Sequence, residues 1–390
     1  MHTIMADENI PLAQDAMQRF GNVTTFHGRQ LRQADLQHAE ILLVRSITRV
    51  DHSLLDSTPV RFVGTATIGT DHIDQAYLAE RGIAFASAAG CNANSVAEYV
   101  IAAILELHAM GLLPPPQTVS LGIVGVGHVG SRLAEKAEAL GISLLLNDPP
   151  RQRREGGDQW CSFETLLAEA DIISFHVPLH RSGIDSTLHL LHRANLRSIK
   201  PTAVVINSAR GPVIDNIALA EWLIAHPKAA AVLDVWETEP AFSTALARLC
   251  TFATPHIAGY SQDGKLEGTR MMHAAVATLL GTQPDWSPPI PPVVPLKRNL
   301  TTQEAALPLH ALVRMLLRER YRLEDDHQRF KKLFSMDDHA RAQAFDTLRK
   351  SYSDRWEWRH TTLVPPEATD ESSDRKWRAL QQLGFGVARG

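Results

Sequence analysis

Three short stretches of the chain carry side chains able to grip a carboxylate, steer an imidazole and move a proton. VVINSARGPVID places Arg210 directly after an apolar run and beside Gly211. AAVLDVWETEP holds Asp234 at the end of such a run, with Glu237 and Glu239 just past it, and FATPHIAGY brings His256 between a proline and small residues. Taken singly, each has an ordinary reading. Arg210 could serve a surface ion pair, Glu239 a solvated turn, and His256, one of 18 histidines, a satisfied core position. Taken together they suit one reaction. Oxidising a hydroxyl beside a carboxylate requires a base for the O–H proton while hydride leaves the carbon. Imidazole titrates near neutral pH and fits that base. A carboxylate hydrogen-bonded to it fixes its tautomer and favours its charged form, a role for Glu239. A guanidinium at Arg210 can hold a carboxylate in a bidentate fork and polarise the developing carbonyl.

Such chemistry needs a hydride acceptor, and LGIVGVGHVGSRLAEKAEALG supplies a place for one. Gly125, Gly127 and Gly130 form G-x-G-x-x-G between an apolar strand pattern and a helical pattern. In that setting the first glycine permits a tight turn, the second lets backbone approach a pyrophosphate, and the third lets helix and strand pack closely. The helix N-terminus then offers free N–H groups and a positive dipole end to the phosphates. The next strand pattern, ISLLLND, ends in Asp148, 18 residues after Gly130, where an acid accepts ribose hydroxyls and repels an added phosphate. Arg151, Arg153 and Arg154 follow and could greet that phosphate. Asp148 lies closer to the strand end, so NAD is the expected cofactor and NADP the lesser reading.

These residues must be positioned by a scaffold, and its pattern is legible. ILLVRS, RFVGTATIG, IAFASA, VSLGIVGVG, ISLLLND, DIISFHVPL, TAVVINSA and AAVLDVW are strand candidates, several apolar without alternation, as in parallel strands covered on both faces. Helical patterns such as SRLAEKAEALG and NIALAEWLIAHPK lie between them, which argues for a doubly wound α/β architecture. In open sheets of this kind ligands bind outside the carboxyl ends of strands, so Arg210, Glu239 and His256 are expected to share one crevice. Ser95-Val96-Ala97-Glu98 reads as a capping box ahead of YVIAAILEL, predicting a helix over 95–110 that ends at Gly111. The proline-rich TQPDWSPPIPPVVP reads as a linker or strap. Beyond it, Leu309, Leu312, Val313, Leu316 and Leu317 share one helical face, opening a small α+β tail.

Composition excludes several classes. At 390 residues the chain exceeds one ordinary core. A formal net charge of −4 offers no basic field for nucleic acid or an anionic membrane. Three scattered cysteines, Cys91, Cys161 and Cys250, have no metal-ligand spacing, so no metal is expected, and they suit a reducing compartment. No signal-peptide pattern opens the sequence, and YVIAAILELHAMGLL is interrupted by Glu106 and His108, so a cytoplasmic protein is expected.

GVGHVG, NSARG, DVWETEP and TPHIAG, in this order and spacing, resemble the D-isomer-specific 2-hydroxyacid dehydrogenases. The resemblance implies two Rossmann-like domains, the NAD domain inserted in the substrate domain, with Arg210, Glu239 and His256 as the catalytic residues and Asp148 as the ribose-binding acid. On this chain it implies a substrate domain at 1–94 and 257–285, an NAD domain at 95–256, a linker at 286–295 and a C-terminal domain at 296–390. VRSITRV, GTATIGTDHID, AAGCNANSVAEYV, NDPPR and HIAGYSQDGK, with FDTLRKSYSDRWEW in the tail, resemble one branch of the family, whose substrate is a phosphorylated hydroxy acid. That branch's C-terminal domain supports dimerisation, so a homodimer is implied. By the same resemblance, Ser46, Thr67 and Tyr260 contact substrate. His128, Val129, Val177, Asp234 and Gly259 join Gly125, Gly127, Gly130 and Asp148 around NAD. Val177 departs from the threonine of the pattern, so a side-chain hydroxyl contact is lost there. A substrate phosphate needs further positive charge. Arg45 is the nearest candidate, while Arg349 and Lys350 of the tail either reach in or are solvated. Another hydroxy acid such as 3-phosphoglycerate, or an NAD-sensing corepressor or scaffold on the same fold, remains an alternative.

Overall fold

The computed structural model describes residues 1–288, 296–366 and 371–388, with 371–373 as backbone only. Most of the proline-rich stretch at 286–295 therefore lies outside the described residues. The chain forms two compact units, Met1–Ala93 with Ser261–Val293 and Asn94–Tyr260 with Val294–Gly390.

The first unit is built on five parallel strands: β1 (His2–Asp7), β2 (Gly21–Phe26), β3 (Ile41–Val44), β4 (Phe62–Thr65) and β5 (Ala84–Ser87), in the order β2-β1-β3-β4-β5. β3 and β4 are buried throughout, which explains their unbroken apolar runs. Alternate residues feed two cores: Ile41 and Leu43 pack with Met272 and Val276 of the helix Gln262–Leu279, whereas Leu42 and Val44 pack with Leu54 and Leu78. β1 and β2, rich in polar residues, went unread in the sequence because HTIMAD and GNVTTF lack an apolar run.

The second unit holds six parallel strands: β6 (Ser120–Val124), β7 (Ser143–Asn147), β8 (Ile172–Phe175), β9 (Val204–Asn207), β10 (Ala230–Leu233) and β11 (Phe252–Ala253). Their order is β11-β10-β9-β8-β6-β7. Ile123, Val204, Ile206 and Val232 face one core, and Val124, Val205, Ala231 and Leu233 the other. Burial on both faces contributes about 1.5–3 kcal/mol per large side chain, and the continuous apolar patterns are its sequence trace. Both strand sets are parallel α/β sheets of the Rossmann-like kind.

The tail adds a three-stranded parallel sheet, β12 (Leu296–Asn299), β13 (Thr361–Val364) and β14 (Gly386–Val387), in the order β12-β13-β14. Its helices share the cores of the second unit. Leu312, Val313, Leu316 and Leu317 of Leu309–Arg318 join one core, and Phe330, Phe334 and Phe345 join the other. The N–H of Ala253 on edge strand β11 donates to His327 Nδ1 at 3.0 Å, which covers an edge that would otherwise stand open.

The helix expected over 95–110 runs Ala93–Ala109, so Ser95 and Glu98 lie inside its first turns instead of capping it. Their side chains do other work. Ser95 Oγ donates to Glu357 Oε1 at 2.7 Å, and Glu98 Oε1 accepts from the Asn94 amide at 2.9 Å and the Trp358 N–H at 3.1 Å. Lys136 Nζ stands 3.9 Å from Glu98 and 4.9 Å from the Trp358 ring centroid, and donates to the Leu383 carbonyl. Burial pushes the Glu98 carboxyl up to about 8. The pattern that reads as a cap is a buried polar staple between this helix, the helix His128–Ala139 and the tail.

Candidate active site

β9, β10 and β11 are neighbours in the sheet, and their carboxyl ends release Arg210, Glu239 and His256 in turn. The approach of the first two loops depends on Gly211. A Cβ at this position would overlap the Trp236 carbonyl and press on the Glu237 nitrogen, so only glycine lets the Arg210 loop pass the DVWETEP loop this closely. The Arg210 loop is braced locally: Asn207 Nδ2 donates to the Arg210 carbonyl at 2.9 Å, and the Ala209 N–H donates to Asn207 Oδ1 at 3.0 Å.

His256 Nδ1–H donates to Glu239 Oε2 at 2.7 Å, and the second oxygen of Glu239 accepts the Trp236 N–H at 2.8 Å. This fixes the carboxylate and assigns the imidazole tautomer, which leaves Nε2 to exchange protons. The two side chains keep 29 % and 21 % of their surface open, enough for a ligand to reach them. Burial pushes the Glu239 carboxyl up, but the neighbouring imidazole, its hydrogen bond, Arg349 and the Trp236 N–H outweigh burial and hold it below the usual range. His176 is the contrasting case: it bonds Ser174 Oγ at 2.8 Å, and burial alone pushes it down to about 3. His176 is a satisfied, buried histidine.

The backbone at His256 has φ 59°, a left-handed conformation that costs a non-glycine residue of order 1–3 kcal/mol and persists where its surroundings over-determine it. Asp234 does so. Its carbonyl accepts the His256 N–H at 2.7 Å. Its carboxylate accepts the Ile257 and Ala258 N–H groups, each at 2.8 Å, and the Thr254 hydroxyl at 2.6 Å. Tyr99, on the helix Ala93–Ala109, bonds the same Thr254 oxygen at 2.7 Å. The resemblance implies Asp234 beside the cofactor; in the fold its carboxylate is buried and bonds residues on both sides of the turn that carries His256.

The dinucleotide loop stands at the carboxyl end of β6, beside the switch in strand order between β6 and β8. Gly125 has φ 89° and would bring a Cβ within 2.7 Å of Val177 Cγ1, while a Cβ on Gly130 would overlap the Gly125 carbonyl oxygen. Gly127 faces open space and caps the helix carrying His128 and Val129. Asp148 meets this loop: Oδ2 accepts the Val126 N–H at 2.8 Å, and Oδ1 accepts the Arg151 N–H at 2.9 Å. The three nearby arginines are engaged within the protein. Arg151 donates to the Val126 carbonyl at 2.6 Å and to Glu155 at 2.7 Å, Arg153 pairs with Asp185, and Arg154 pairs with Glu155 at 2.8 Å. A tight glycine turn, an open helix N-terminus and a carboxylate at the neighbouring strand end fit an adenine dinucleotide lacking a 2′-phosphate.

The remaining substrate candidates divide between the units. In the first, Arg45 and Ser46 follow β3 and Thr67 follows β4, all at the carboxyl edge of that sheet. Arg45 Nη1 donates to the Asn9 carbonyl at 2.8 Å, and Thr67 Oγ1 bonds Thr65 Oγ1 at 2.8 Å. In the second, Gly259 and Tyr260 follow His256 and are half-buried. Sequence reasoning passed over Ser208, whose buried hydroxyl beside Arg210 has no hydrogen-bond partner. A serine after a strand gives no signal of its own.

Fold and site define a nicotinamide-dependent dehydrogenase of 2-hydroxy acids. Comparison with known proteins agrees. Residues 112–258 match the family model for the NAD-binding domain of D-isomer-specific 2-hydroxyacid dehydrogenases, and 293–384 match a domain of unknown function. The chain is 44 % identical to the erythronate-4-phosphate dehydrogenase of Pseudomonas putida, over 91 % of this chain and 92 % of that one. It is 40 % identical to the Salmonella arizonae enzyme of the same name, over 98 % of each. Among solved structures it resembles Aquifex aeolicus D-lactate dehydrogenase, complexed with NAD and lactic acid, with TM-score 0.60, 24 % identity and coverage of 71 % of this chain and 96 % of that one. It also resembles NAD-bound 3-phosphoglycerate dehydrogenase of Entamoeba histolytica, with TM-score 0.62, 21 % identity and coverage of 74 % and 99 %. The chain belongs to the erythronate-4-phosphate dehydrogenase family of D-isomer-specific 2-hydroxyacid dehydrogenases.

Proposed function

We propose that the chain oxidises 4-phospho-D-erythronate at its C2 hydroxyl to (R)-3-hydroxy-2-oxo-4-phosphooxybutanoate, a step in pyridoxal phosphate biosynthesis. The observation that carries this reading is the His256–Glu239 pair beside the Arg210 loop, in a chain that matches enzymes of that name over nearly its whole length. Arg210 holds the substrate carboxylate and polarises the forming carbonyl. His256 Nε2 takes the hydroxyl proton, and Glu239, ionised and fixed by the Trp236 N–H, orients the ring and stabilises the imidazolium as it forms. NAD, when bound, accepts the hydride from C2.

Gly125, Gly127, Gly130, His128 and Val129 receive the pyrophosphate, Asp148 takes the ribose hydroxyls, and Val177 lines the loop with its methyls. Asp234 and Gly259 serve the nicotinamide end, Asp234 through the turn that it holds. Arg45, Ser46, Thr67 and Tyr260 contact substrate, with Arg45 answering the phosphate charge. The chain acts as a homodimer through 296–390, a reading supported by the resemblance of its tail to that branch; a solution mass of one chain by light scattering would overturn it. It works in the cytoplasm, supported by its three free cysteines and by the lack, among the described residues, of a helix long and apolar enough to cross a membrane. Recovery with the membrane fraction would refute that.

Substrate discrimination tests the main reading. Purified protein receives NAD with 4-phospho-D-erythronate or 3-phospho-D-glycerate, with and without an added 2-oxo acid as hydride acceptor, and product oxo acid is counted. Preference for phosphoerythronate is expected. Preference for phosphoglycerate overturns the substrate, and no product from either overturns the enzyme in favour of an NAD-sensing scaffold.

A further inference from the structure

The loop carrying His256 is gripped by the tail at three points, none of which belongs to the Arg210–Glu239–His256 group. Arg355 Nη2 donates to the Ala258 carbonyl at 2.9 Å. Tyr352 meets the Tyr260 ring edge-on at 5.9 Å between centroids, its own hydroxyl anchored on Asp326 Oδ2 at 2.7 Å. Arg349, in the last turn of the helix Asp338–Lys350, lies 5.7 Å from the Tyr260 ring centroid and 5.8 Å from that of Phe345, and donates to the Tyr260 hydroxyl. Its Nε is buried without a partner. A half-buried guanidinium whose Nε is shut from solvent without a partner carries a cost, and a helix surface offers no reason to keep one there. What surrounds it gives the reason: Glu239 and Asp346 are the carboxylates it feels, and Tyr260 is its hydrogen-bond partner.

We propose that Arg349 is a positioning residue of the dehydrogenase site, holding the Tyr260 ring in place and lending positive charge to Glu239, so that the tail completes the catalytic wall within the same chain. The proposal rests on the dehydrogenase reading of Arg210, Glu239 and His256. The groups facing Glu239 are His256 and Arg349, and both favour its ionised form. Removing the guanidinium lets Glu239 take a proton at higher pH. The pair with His256 then fails at higher pH than in the unaltered protein.

The test compares Arg349→Gln and Arg349→Lys with the unaltered full-length protein, on whichever hydroxy acid that protein turns over. Failure of the unaltered protein to turn over any hydroxy acid would count against the dehydrogenase reading, separately from Arg349. The Gln variant is expected to lose about tenfold in kcat/KM and to move the acid limb of the profile up, with NAD affinity unchanged by fluorescence titration. The Lys variant restores the acid limb and leaves KM for the hydroxy acid raised, because a point charge replaces the fork that holds Tyr260. An unmoved acid limb in the Gln variant, or equal losses in both variants, would refute the positioning role. A rise in KM confined to phosphorylated substrates, with kcat and the limb unchanged, would make Arg349 a phosphate ligand and overturn the proposal. Should the Gln variant fail to fold, a Lys variant with an unaltered KM would also refute it.

Discussion

Replacing Glu239 by glutamine is the most pointed perturbation of this site, because both oxygens of the carboxylate act as acceptors. One takes the Trp236 N–H at 2.8 Å and the other the His256 Nδ1–H at 2.7 Å. An amide has a single acceptor oxygen. If it stays on Trp236, its NH₂ group faces Nδ1 and forces the imidazole proton onto Nε2, the nitrogen that must receive the substrate proton. If the amide turns round, the Trp236 N–H loses its acceptor and the loop loses its anchor, at about 1–3 kcal/mol. The negative charge that stabilises the forming imidazolium disappears in either case. General-base catalysis contributes about 10²–10⁴-fold, so Glu239→Gln should lower kcat/KM by about 10³, or about 4 kcal/mol of transition-state stabilisation. Initial rates of oxo-acid formation would measure this, with NAD affinity by fluorescence titration as the control and His256→Ala as the floor. In the unaltered protein Glu239 is held below the usual carboxylate range. Its contribution to folding stability is therefore full above the unfolded carboxylate pKa and lost as pH falls through the lowered folded value, and melting temperatures of the glutamine variant should lack that acid-side loss. A variant within threefold of the unaltered protein would refute the assignment of Glu239 as the group that sets the tautomer.

Two further substitutions probe the scaffold of the site. Asp148→Ala removes the acid proposed to meet the ribose and the acceptor of the Val126 and Arg151 N–H groups; both cofactors should bind more weakly, NAD by about tenfold more than NADP. Equal losses in isothermal titrations would sink the ribose role. Gly211→Ala places a methyl against the Trp236 carbonyl and should cost about 1–3 kcal/mol, seen as a lower melting temperature together with reduced turnover as the Arg210 loop is pushed from Glu239. Unchanged melting would show that the loops yield without cost.

The candidate residues Arg210, Glu239 and His256 and the glycine turn were legible from sequence because each is a local pattern. Residue types at fixed spacing after an apolar run describe a strand end, and strand ends are where an open α/β sheet binds its ligands. β3, β4, β6, β8, β9 and β10 were legible for the same reason, since burial on both faces leaves continuous apolar runs. Capping arithmetic failed at Ser95 and Glu98, where local preference yields to partners such as Glu357, 262 residues away from Ser95. β1 and β2 were missed because their polar residues break the apolar run.

By itself the sequence determined which side chains could do chemistry, the glycine turn and acid that suit a dinucleotide, and the parallel character of the strands. Tertiary structure alone decided that β9, β10 and β11 lie side by side, because parallel neighbours are joined by long crossovers and leave no trace in local periodicity. It also decided that Asp234 holds His256 in a left-handed conformation, through bonds to residues 20 to 24 positions away. Last, it brought Arg349, Tyr352 and Arg355 against the His256 loop, across some 90 residues of chain. Contacts at such separations arise from packing of the completed cores, and only the folded chain contains that information.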